Sequence, residues 1–363
     1  MRFLRVIRLH SGKEYVESPS SLQNQVMSRQ PKHLAIAGAT GAVGIEILKC
    51  LEQRDFPVSE LTLLASARSA GKTITFRGQE IVVKELRPDS FAGVDIALFS
   101  AGGGISKEFA PHAVAAGAVV VDNSSAFRME EAVPLVVPEI NPEDALKHSG
   151  IIANPNCTTI ITLMALNPMH HAFGGVRSLI ASSYQAVSGS GAQGILELEA
   201  QVTAIAKGET LPERSVYSRQ IAFNVIPQVD VFTENGYTKE ELKMLFEGRK
   251  ILHAPDLKAS VTCVRVPVYR SHAVSVTAVF NNKPSVEAAR AAINAAPGVH
   301  VIDAPFAEFP EYPTPLDSTD GDDCLVGRIR EDLVLDNALT FWVVGDQVRK
   351  GAALNAVQIA ELL

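Results

Sequence analysis

Residues 33–154 repeat one pattern, in which a short apolar run is followed by a segment whose apolar residues have helical spacing. The apolar runs lie at 33–38, 61–65, 95–100, 118–122 and 151–154. Runs that are continuously apolar, rather than alternating, are typical of strands buried on both faces of a parallel sheet. The pattern therefore predicts an α/β domain with helices on both sides of the sheet.

The chain changes character after residue 157. Residues 176–187 alternate apolar and small polar side chains, as in a strand with one covered face. Two β-branched runs follow at 260–266 and 273–280, which indicates an α+β domain with a mostly antiparallel sheet. The apolar, helix-like end of the chain is expected to return to the first domain. The predicted domains are 33–156 with 342–363, and 157–341.

Composition excludes several classes of protein. Hydrophobic residues make up 47% of the chain, and the net charge of −7 argues against a nucleic-acid partner. Apolar runs are shorter than the roughly 18–20 residues that span a bilayer, so no membrane span is predicted. The cysteines have no C-x-x-C or Cys/His spacing, so we predict neither a metal site nor a disulfide framework, and we favour a reducing compartment. They are Cys50, Cys157, Cys263 and Cys324.

The first 32 residues carry six basic and two acidic side chains. Arg2, Arg5 and Arg8 interrupt the apolar residues that a secretory signal would need. We interpret residues 1–32 as an extension without ordered structure, with Met27 as the functional start of a cytoplasmic protein. An Arg- and Ser-bearing transit peptide, directing the protein to a plastid, is the alternative.

A glycine-rich turn joins the first predicted strand to the first predicted helix. Its G-x-x-G-x-x-G spacing is a variant of the dinucleotide-binding fingerprint, in which glycines let backbone amides approach a phosphate at a helix N-terminus. This indicates a dinucleotide-binding domain of the Rossmann type. The predicted contacts are Gly38, Thr40, Gly41, Ala42, Val43 and Gly44.

The end of the second strand indicates which dinucleotide binds. Selection of NAD commonly places an acidic side chain there, to bind the ribose 2′-hydroxyl. This chain instead has Ser66, Arg68 and Ser69. A guanidinium with two hydroxyls suits a 2′-phosphate, so we predict NADP.

Cys157 differs from the other cysteines in its local sequence, since it follows Asn-Pro-Asn and opens a helix-like apolar run. A cysteine at a helix N-terminus is expected to have a lowered thiol pKa. We interpret Cys157 as a nucleophile that forms a thioester during aldehyde oxidation. Such chemistry needs an acid/base, for which His272 is a candidate. Arg265 could bind a carboxylate, but seven residues along one strand would place Arg265 and His272 on opposite faces, so the break at Pro267 must redirect one of them.

From about Lys32 to Leu363 the chain resembles aspartate-β-semialdehyde dehydrogenases. The resemblance is carried by stretches that are specific in combination, including GATGAVG, LASARSAGK, DNSSAFRM, NPNCTT, YQAVSGSG, CVRVPVYRSH and GDQVRKGAALNAVQIAE. It implies a homodimer or homotetramer with an NADP-binding Rossmann-type domain and a catalytic and dimerisation domain. It also implies reversible, NADP-dependent reduction of L-aspartyl-4-phosphate to the semialdehyde with release of phosphate, in lysine, threonine and methionine synthesis.

The resemblance further implies roles for individual residues. Cys157 is the nucleophile, His272 the acid/base and Gln185 the group that orients the substrate. Substrate and phosphate contacts are implied for Arg265 (α-carboxylate), Glu241 (amine), Asn156, Arg128 and Lys243. Cofactor contacts are implied for the glycine turn, Ser66, Arg68, Ser69, Ser188 and Gly189.

Two alternatives remain at this point. A related acyl-phosphate reductase, such as one acting on N-acetyl-glutamyl phosphate, would share the fold and the cysteine chemistry. Its substrate has an acylated amine, so a carboxylate placed for a free ammonium argues against it. A non-catalytic paralogue would be expected to lose the cysteine or the histidine, and this chain has both.

Overall fold

The computed structural model describes residues 6–8, 14–16 and 30–363. Strands β1 (Val6–Arg8) and β2 (Glu14–Val16) pair in antiparallel fashion. The expectation of an extension without structure is therefore wrong for these six residues. Met27, interpreted as the functional start, lies outside the described residues. Residues 32–363 form a compact unit of their own.

The first sheet has six strands, and every pairing in it is parallel. Its order β10-β9-β8-β3-β4-β7 is the 3-2-1-4-5-6 order of a doubly wound dinucleotide-binding fold. The predicted α/β domain is confirmed. The strands are β3 (Lys32–Ala37), β4 (Val58–Ala65), β7 (Lys84–Glu85), β8 (Ile96–Phe99), β9 (Val119–Asp122) and β10 (Ile151–Ala153). Helices α1 (Ala42–Gln53) and α2 (Gly103–Ala115), and the small antiparallel pair β5 (Thr73–Phe76) and β6 (Gln79–Val82), complete this part.

The second sheet has the order β12-β11-β13-β16-β15-β14. Three of its five pairings are antiparallel, while β11 with β12 and β14 with β15 are parallel, so the sheet is mixed. Its strands are β11 (Val176–Gln185), β12 (Lys258–Arg265), β13 (His272–Phe280), β14 (Val299–Val301), β15 (Cys324–Glu331) and β16 (Ala338–Gly345). The predicted domain boundary at residue 342 is wrong, because β16 pairs with β13 and β15 as far as Gly345.

Helices cover one face of the second sheet. Helix α3 (Cys157–Ala172) packs on β11 and β13, α5 (Lys239–Ile251) packs on β12, and α6 (Val286–Ala295) packs on β14 and β15. Burial of their apolar faces with the inner face of the sheet forms a continuous core. Two further helices are α4 (Ala192–Lys207) and the short α7 (Pro315–Ser318).

The chain end returns to the first domain, as predicted. A π-helical turn at Arg349–Ala353 leads into α8 (Leu354–Ala360), which packs against α1 and β9. Leu354, Val357 and Ile359 are fully buried in the same core as Leu34 and Ile36 of β3. Among the described residues, the helices are too short or too polar to cross a membrane.

Candidate active site

The glycine turn lies between β3 and α1, beside the end of β8. Gly38 has a φ of +90°, and a Cβ there would lie 2.3 Å from the carbonyl oxygen of Ser100. A Cβ on Gly44 would lie 2.3 Å from the carbonyl oxygen of Gly38. Both positions therefore require glycine. Gly41, which has no side chain to cap the helix, is the N-cap of α1, so the helix start faces solvent and can receive a phosphate.

The residues predicted to select the cofactor follow β4, the strand beside β3. Ser66 and Arg68 are exposed and Ser69 is buried, in a short turn at the carboxyl edge of the sheet. Strand order reverses between β3 and β8, which is where ligands of doubly wound sheets bind. The predicted phosphate turn and the predicted 2′-phosphate residues thus share one edge of the sheet.

Cys157 is the first residue of α3, and Asn156 is the N-cap. The Asn156 Oδ1 accepts hydrogen bonds from the amides of Thr158 (3.0 Å) and Thr159 (3.2 Å). Cys157 is partly exposed, whereas the other three cysteines are buried. A Cβ on Gly351 would lie 2.8 Å from the Cβ of Cys157, so the π-helical turn packs directly against this residue.

The thiol does not have the lowered pKa that its position at a helix start predicted. Desolvation and the Glu240 carboxylate raise the pKa of the Cys157 thiol to about 11, although Arg128 and Lys243 act in the opposite direction. A helix terminus contributes only about 0.3–1 kcal/mol, less than one pKa unit. It is outweighed here, so without substrate the sulfur is protonated at neutral pH.

Three neighbouring strands bring Gln185, Arg265 and His272 to one end of the second sheet. Gln185 ends the central strand β11 and pairs with Arg265, which ends β12. His272 begins β13 on the other side of β11, and its Nε2 lies 3.4 Å from the Gln185 Nε2. Arg265 and His272 are therefore not on one strand, and the residues between them, including Pro267, form the connection.

His272 is fully buried. Desolvation and the nearby Arg265 guanidinium lower the pKa of its imidazole to about 3, so the ring is neutral at physiological pH. The Ala186 amide donates to His272 Nδ1 (3.1 Å), which assigns the ring proton to Nε2. A Cβ on Gly189 would lie 3.2 Å from the His272 Cε1 and 2.8 Å from the Arg265 Nη1, so Gly189 lies against both side chains.

Glu240 is the carboxylate that connects the nucleophile to this sheet end. Its Oε1 accepts from Asn156 Nδ2 (3.0 Å) and Gln185 Nε2 (3.1 Å), and its Oε2 lies 2.7 Å from Lys243 Nζ. Burial opposes ionisation, but the Lys243 ammonium and these hydrogen bonds lower the pKa of the Glu240 carboxyl to about 2. Glu240 is not among the residues predicted from the sequence.

The Glu241 carboxylate, predicted to contact the substrate amine, binds the backbone through both of its oxygens. Oε2 accepts from the Thr238 amide (2.7 Å) in a capping box, and Oε1 accepts from the Cys263 amide (2.9 Å). A Thr followed three residues later by Glu is the sequence signature of this cap. That signature could have assigned Glu241 to the helix start and left Glu240 for the site.

Two predicted cations flank the nucleophile. Arg128 is buried, and its Nη1 lies 3.1 Å from the Glu247 Oε1. Lys243 contacts Asp230 (3.2 Å) in addition to Glu240. Both cations act on the Cys157 thiol, so their charges lie near the sulfur.

Gln347 is a further residue that the sequence analysis did not single out. Its Nε2 donates to the Ser188 Oγ, and its Oε1 accepts from the Ser271 amide (2.7 Å). It therefore connects the predicted cofactor loop to the residue before His272. Gln347 lies in the stretch GDQVRKGAALNAVQIAE, which carries the resemblance. No recognised sequence motif marks Gln347 itself as a functional residue.

A doubly wound nucleotide-binding domain joined to a mixed-sheet domain is the architecture of a dinucleotide-dependent oxidoreductase. Residues 33–148 match the family model described as semialdehyde dehydrogenase, NAD binding domain. Residues 166–350 match the model described as semialdehyde dehydrogenase, dimerisation domain.

Individual relatives identify the family more closely. An aspartate-semialdehyde dehydrogenase of Aquifex aeolicus is 53% identical over 91% of this chain and 97% of its own. A crystal structure of aspartate semialdehyde dehydrogenase II from Vibrio cholerae, complexed with ASA, is 46% identical with a TM-score of 0.88, covering 92% and 98% of the two chains. A structure of the Candida albicans enzyme with NADP is 28% identical with a TM-score of 0.70, with the same coverage. The chain belongs to the aspartate-semialdehyde dehydrogenase family, as the sequence analysis expected.

Proposed function

We propose that the protein interconverts L-aspartyl-4-phosphate and L-aspartate-4-semialdehyde with NADP, through a thioester on Cys157. The observation that carries the proposal is the convergence around a partly exposed cysteine of a neutral histidine, an amide, a carboxylate and two cations. In the oxidative direction the Cys157 sulfur adds to the aldehyde carbon, and the thiol proton passes to the carbonyl oxygen, which gives a hydroxyl-bearing adduct. A cofactor held by the glycine turn would supply the hydride acceptor for oxidation of this adduct to the thioester, with loss of the hydroxyl proton, and phosphate would then displace the sulfur from the thioester.

His272 is proposed as the group that exchanges protons with the reacting centre, and Gln185 as the group that orients the acyl part. With its proton on Nε2, the imidazole meets a substrate carbonyl oxygen as a hydrogen-bond donor. It would accept the thiol proton only in its other tautomer. Because the pKa of His272 is depressed, the ring stays neutral across the working pH range and adds no positive charge to the site.

The remaining groups suit the other functional groups of the substrate. We propose that Arg265 binds the α-carboxylate and that Glu240 contacts the free ammonium. Arg128, Lys243 and Asn156 are proposed for the phosphate, whose negative charge their donors would stabilise. A carboxylate placed for an ammonium favours a free amino acid over an acylated one, which supports this reaction over that of an N-acetyl-glutamyl-phosphate reductase.

The cofactor is proposed to be NADP. Its phosphates would lie on the turn formed by Gly38, Thr40, Gly41, Ala42, Val43 and Gly44, its 2′-phosphate on Ser66, Arg68 and Ser69, and its nicotinamide end near Ser188 and Gly189. The support is the open start of α1 and the exposed guanidinium of Arg68 after β4.

We also propose a homodimer or homotetramer in the cytoplasm, acting in lysine, threonine and methionine synthesis. The uncovered face of β11 exposes Ile180 and Tyr184, with the Tyr184 ring 5.3 Å from that of Trp342. Apolar side chains on an otherwise polar sheet face suit a contact with a second copy. Light scattering of the purified protein measures the assembly.

The test of the activity is phosphate-dependent reduction of NADP in the presence of aspartate semialdehyde. We expect Cys157→Ser to lower kcat by about 10⁴-fold or more, since the nucleophile is removed. The matched control is Cys50→Ala, a buried cysteine in α1, which should retain turnover. Turnover by Cys157→Ser at the wild-type rate would contradict the covalent mechanism. Mass spectrometry of the wild-type protein with semialdehyde and NADP, without phosphate, should detect the acyl adduct on Cys157.

A further inference from the structure

Helix α5 presents a row of charged side chains to the nucleophile and to the loop after β9. Glu240, Lys243, Glu247 and Lys250 are separated by three or four residues, so they share one side of the helix. Glu240 and Lys243 belong to the cluster around Cys157. Glu247 and Lys250 lie further along the helix and contact residues that the proposed reaction uses.

Glu247 bridges two of those residues. It is buried, its Oε2 accepts from the Asn156 amide (2.7 Å), and its Oε1 accepts from the Arg128 Nη1 (3.1 Å). One carboxylate thus fixes the residue before the nucleophile and the guanidinium proposed for phosphate. Its two oxygens serve two separate partners, which fixes the distance between them.

Arg128 is held in place on all sides. Its Nε donates to the carbonyl of Asn154 (2.9 Å) and its Nη2 to that of Asn123 (2.8 Å). With the bond to Glu247, these contacts use three of its five N–H donors. The Lys250 Nζ donates to the carbonyl of Arg128 itself (2.9 Å), so α5 holds both the side chain and the main chain of Arg128.

A buried ion pair is an inefficient source of stability, because desolvation of the two charges offsets much of their attraction. What such a pair provides is a fixed orientation of the guanidinium relative to its surroundings. We propose that Glu247 is a positioning residue for the phosphate, acting through Arg128. It orients the guanidinium so that the remaining N–H groups face the phosphate beside Cys157. This inference rests on the proposed function, in which Arg128 binds phosphate.

The experiment is a double-variant cycle in the oxidative assay, with phosphate, semialdehyde and NADP varied in turn. We expect Glu247→Gln to lower kcat/KM for phosphate by about tenfold, in the range usual for coupled neighbours. The KM values for NADP and the semialdehyde should stay within about twofold of wild type, because Glu247 acts on neither. In an Arg128→Ala background, Glu247→Gln should cause no further loss, because Arg128 is gone and the amide oxygen of glutamine can still accept from the Asn156 amide.

The matched control is Asp303→Asn. The Asp303 carboxylate also joins a guanidinium, Arg290 (2.7 Å), to backbone amides, those of Arg328 (2.8 Å) and Ile329 (3.0 Å), but in a part of the protein outside the site. It should change the melting temperature without a selective effect on phosphate. Should Glu247→Gln fail to fold, Glu247→Asp retains the charge on a shorter side chain and should show the same selective loss.

The outcomes separate the two hypotheses. A wild-type protein without phosphate-dependent turnover removes the proposed function, and this inference with it. If the wild-type protein turns over but the losses in the double variant are additive, or every KM changes equally, the inference about Glu247 is overturned and the proposed function stands. Failure of both Glu247 variants to fold assigns the residue a structural role and also overturns the inference.

Discussion

The two halves of the site are built from different parts of the chain. At the edge of the parallel sheet, the phosphate turn is made of main chain, and seven consecutive residues from Gly38 to Gly44 contain it. At the end of the mixed sheet, the proposed catalytic groups are side chains of α3, α5, β11, β12 and β13. A main-chain site is sensitive to added atoms, whereas a side-chain site is sensitive to the loss of individual groups.

The largest effect is expected in the side-chain half. His272→Asn should lower kcat by about 10²–10⁴-fold, the usual contribution of a positioned acid or base. The folded state should persist, because asparagine can still accept from the Ala186 amide. Stopped-flow measurement of NADPH formation tests this. A kcat within threefold of wild type would exclude His272 from proton exchange.

In the main-chain half, Gly38→Ala adds a single carbon. Gly38 has a φ of +90°, and the added Cβ would lie 2.3 Å from the carbonyl oxygen of Ser100. Either the turn or the start of α1 must therefore move. Strain of this kind costs about 1–3 kcal/mol, which corresponds to a roughly five- to 150-fold weaker binding of NADP. Fluorescence titration with NADPH measures it. Gly117→Ala, with a φ of +95° and open space around it, lies before β9 at the opposite edge of the sheet and is the control, so NADP affinity there should be unchanged.

Two adjacent carboxylates sharpen the comparison within the side-chain half. Glu240→Gln removes the charge that helps to raise the thiol pKa, so the pKa of Cys157 should fall. At pH 8, below the thiol pKa, the thiolate fraction rises about tenfold for each unit by which the pKa falls. Alkylation of Cys157 by iodoacetamide at pH 8 should therefore become about tenfold faster. Substrate turnover should nevertheless decrease.

Glu241→Gln should leave the alkylation rate unchanged, since its carboxylate binds the backbone of the helix cap and of β12. The loss of capping should instead lower stability by about 0.5–2 kcal/mol, measured by urea unfolding. A raised KM for the semialdehyde in Glu241→Gln, with a normal KM in Glu240→Gln, would assign the substrate amine to Glu241 instead of Glu240.

An effect no larger than that of Glu240→Gln is expected for Arg68→Ala, an exposed side chain in the cofactor half. Loss of one charge-assisted contact should raise the KM for NADP by about tenfold relative to that for NAD. Steady-state kinetics with both cofactors provide the measurement. An unchanged ratio would show that the 2′-phosphate is recognised by other groups.

The sequence predicted the parallel sheet well, because its strands are continuous apolar runs and its phosphate turn is a local motif. The resemblance named Gln185, Arg265 and His272, which lie together at the end of the second sheet, but Glu240, which contacts Gln185, was not predicted. The sequence pattern did not explain how Arg265 and His272 meet, because periodicity applies only within one strand, and these residues lie on two strands that flank a third. Strand pairing between segments distant in sequence leaves no local signal.

Other errors have identifiable physical causes. The Glu240 and Glu241 carboxylates differ by about 100° around α5, so an assignment shifted by one residue selects a different face of the helix. The pKa of the Cys157 thiol depends on desolvation and on Glu240, which lies 83 positions away in the sequence. Only the position of Cys157 at a helix start could be predicted from the local sequence. The boundary at 342 failed because β16 completes the second sheet before the chain leaves it.

The docking of α8 and the π-helical turn has a consequence for the order in which the protein can mature on the ribosome. Leu354, Val357 and Ile359 complete the core beneath β3, and Gly351 packs against Cys157. The first domain is synthesised early, but part of its core and the surface that packs against Cys157 are supplied by residues 351–360, which follow the whole second sheet in the chain. Folding of the first domain therefore cannot be completed before the second sheet has been synthesised, and Cys157 acquires its full surroundings only after residue 351 has emerged.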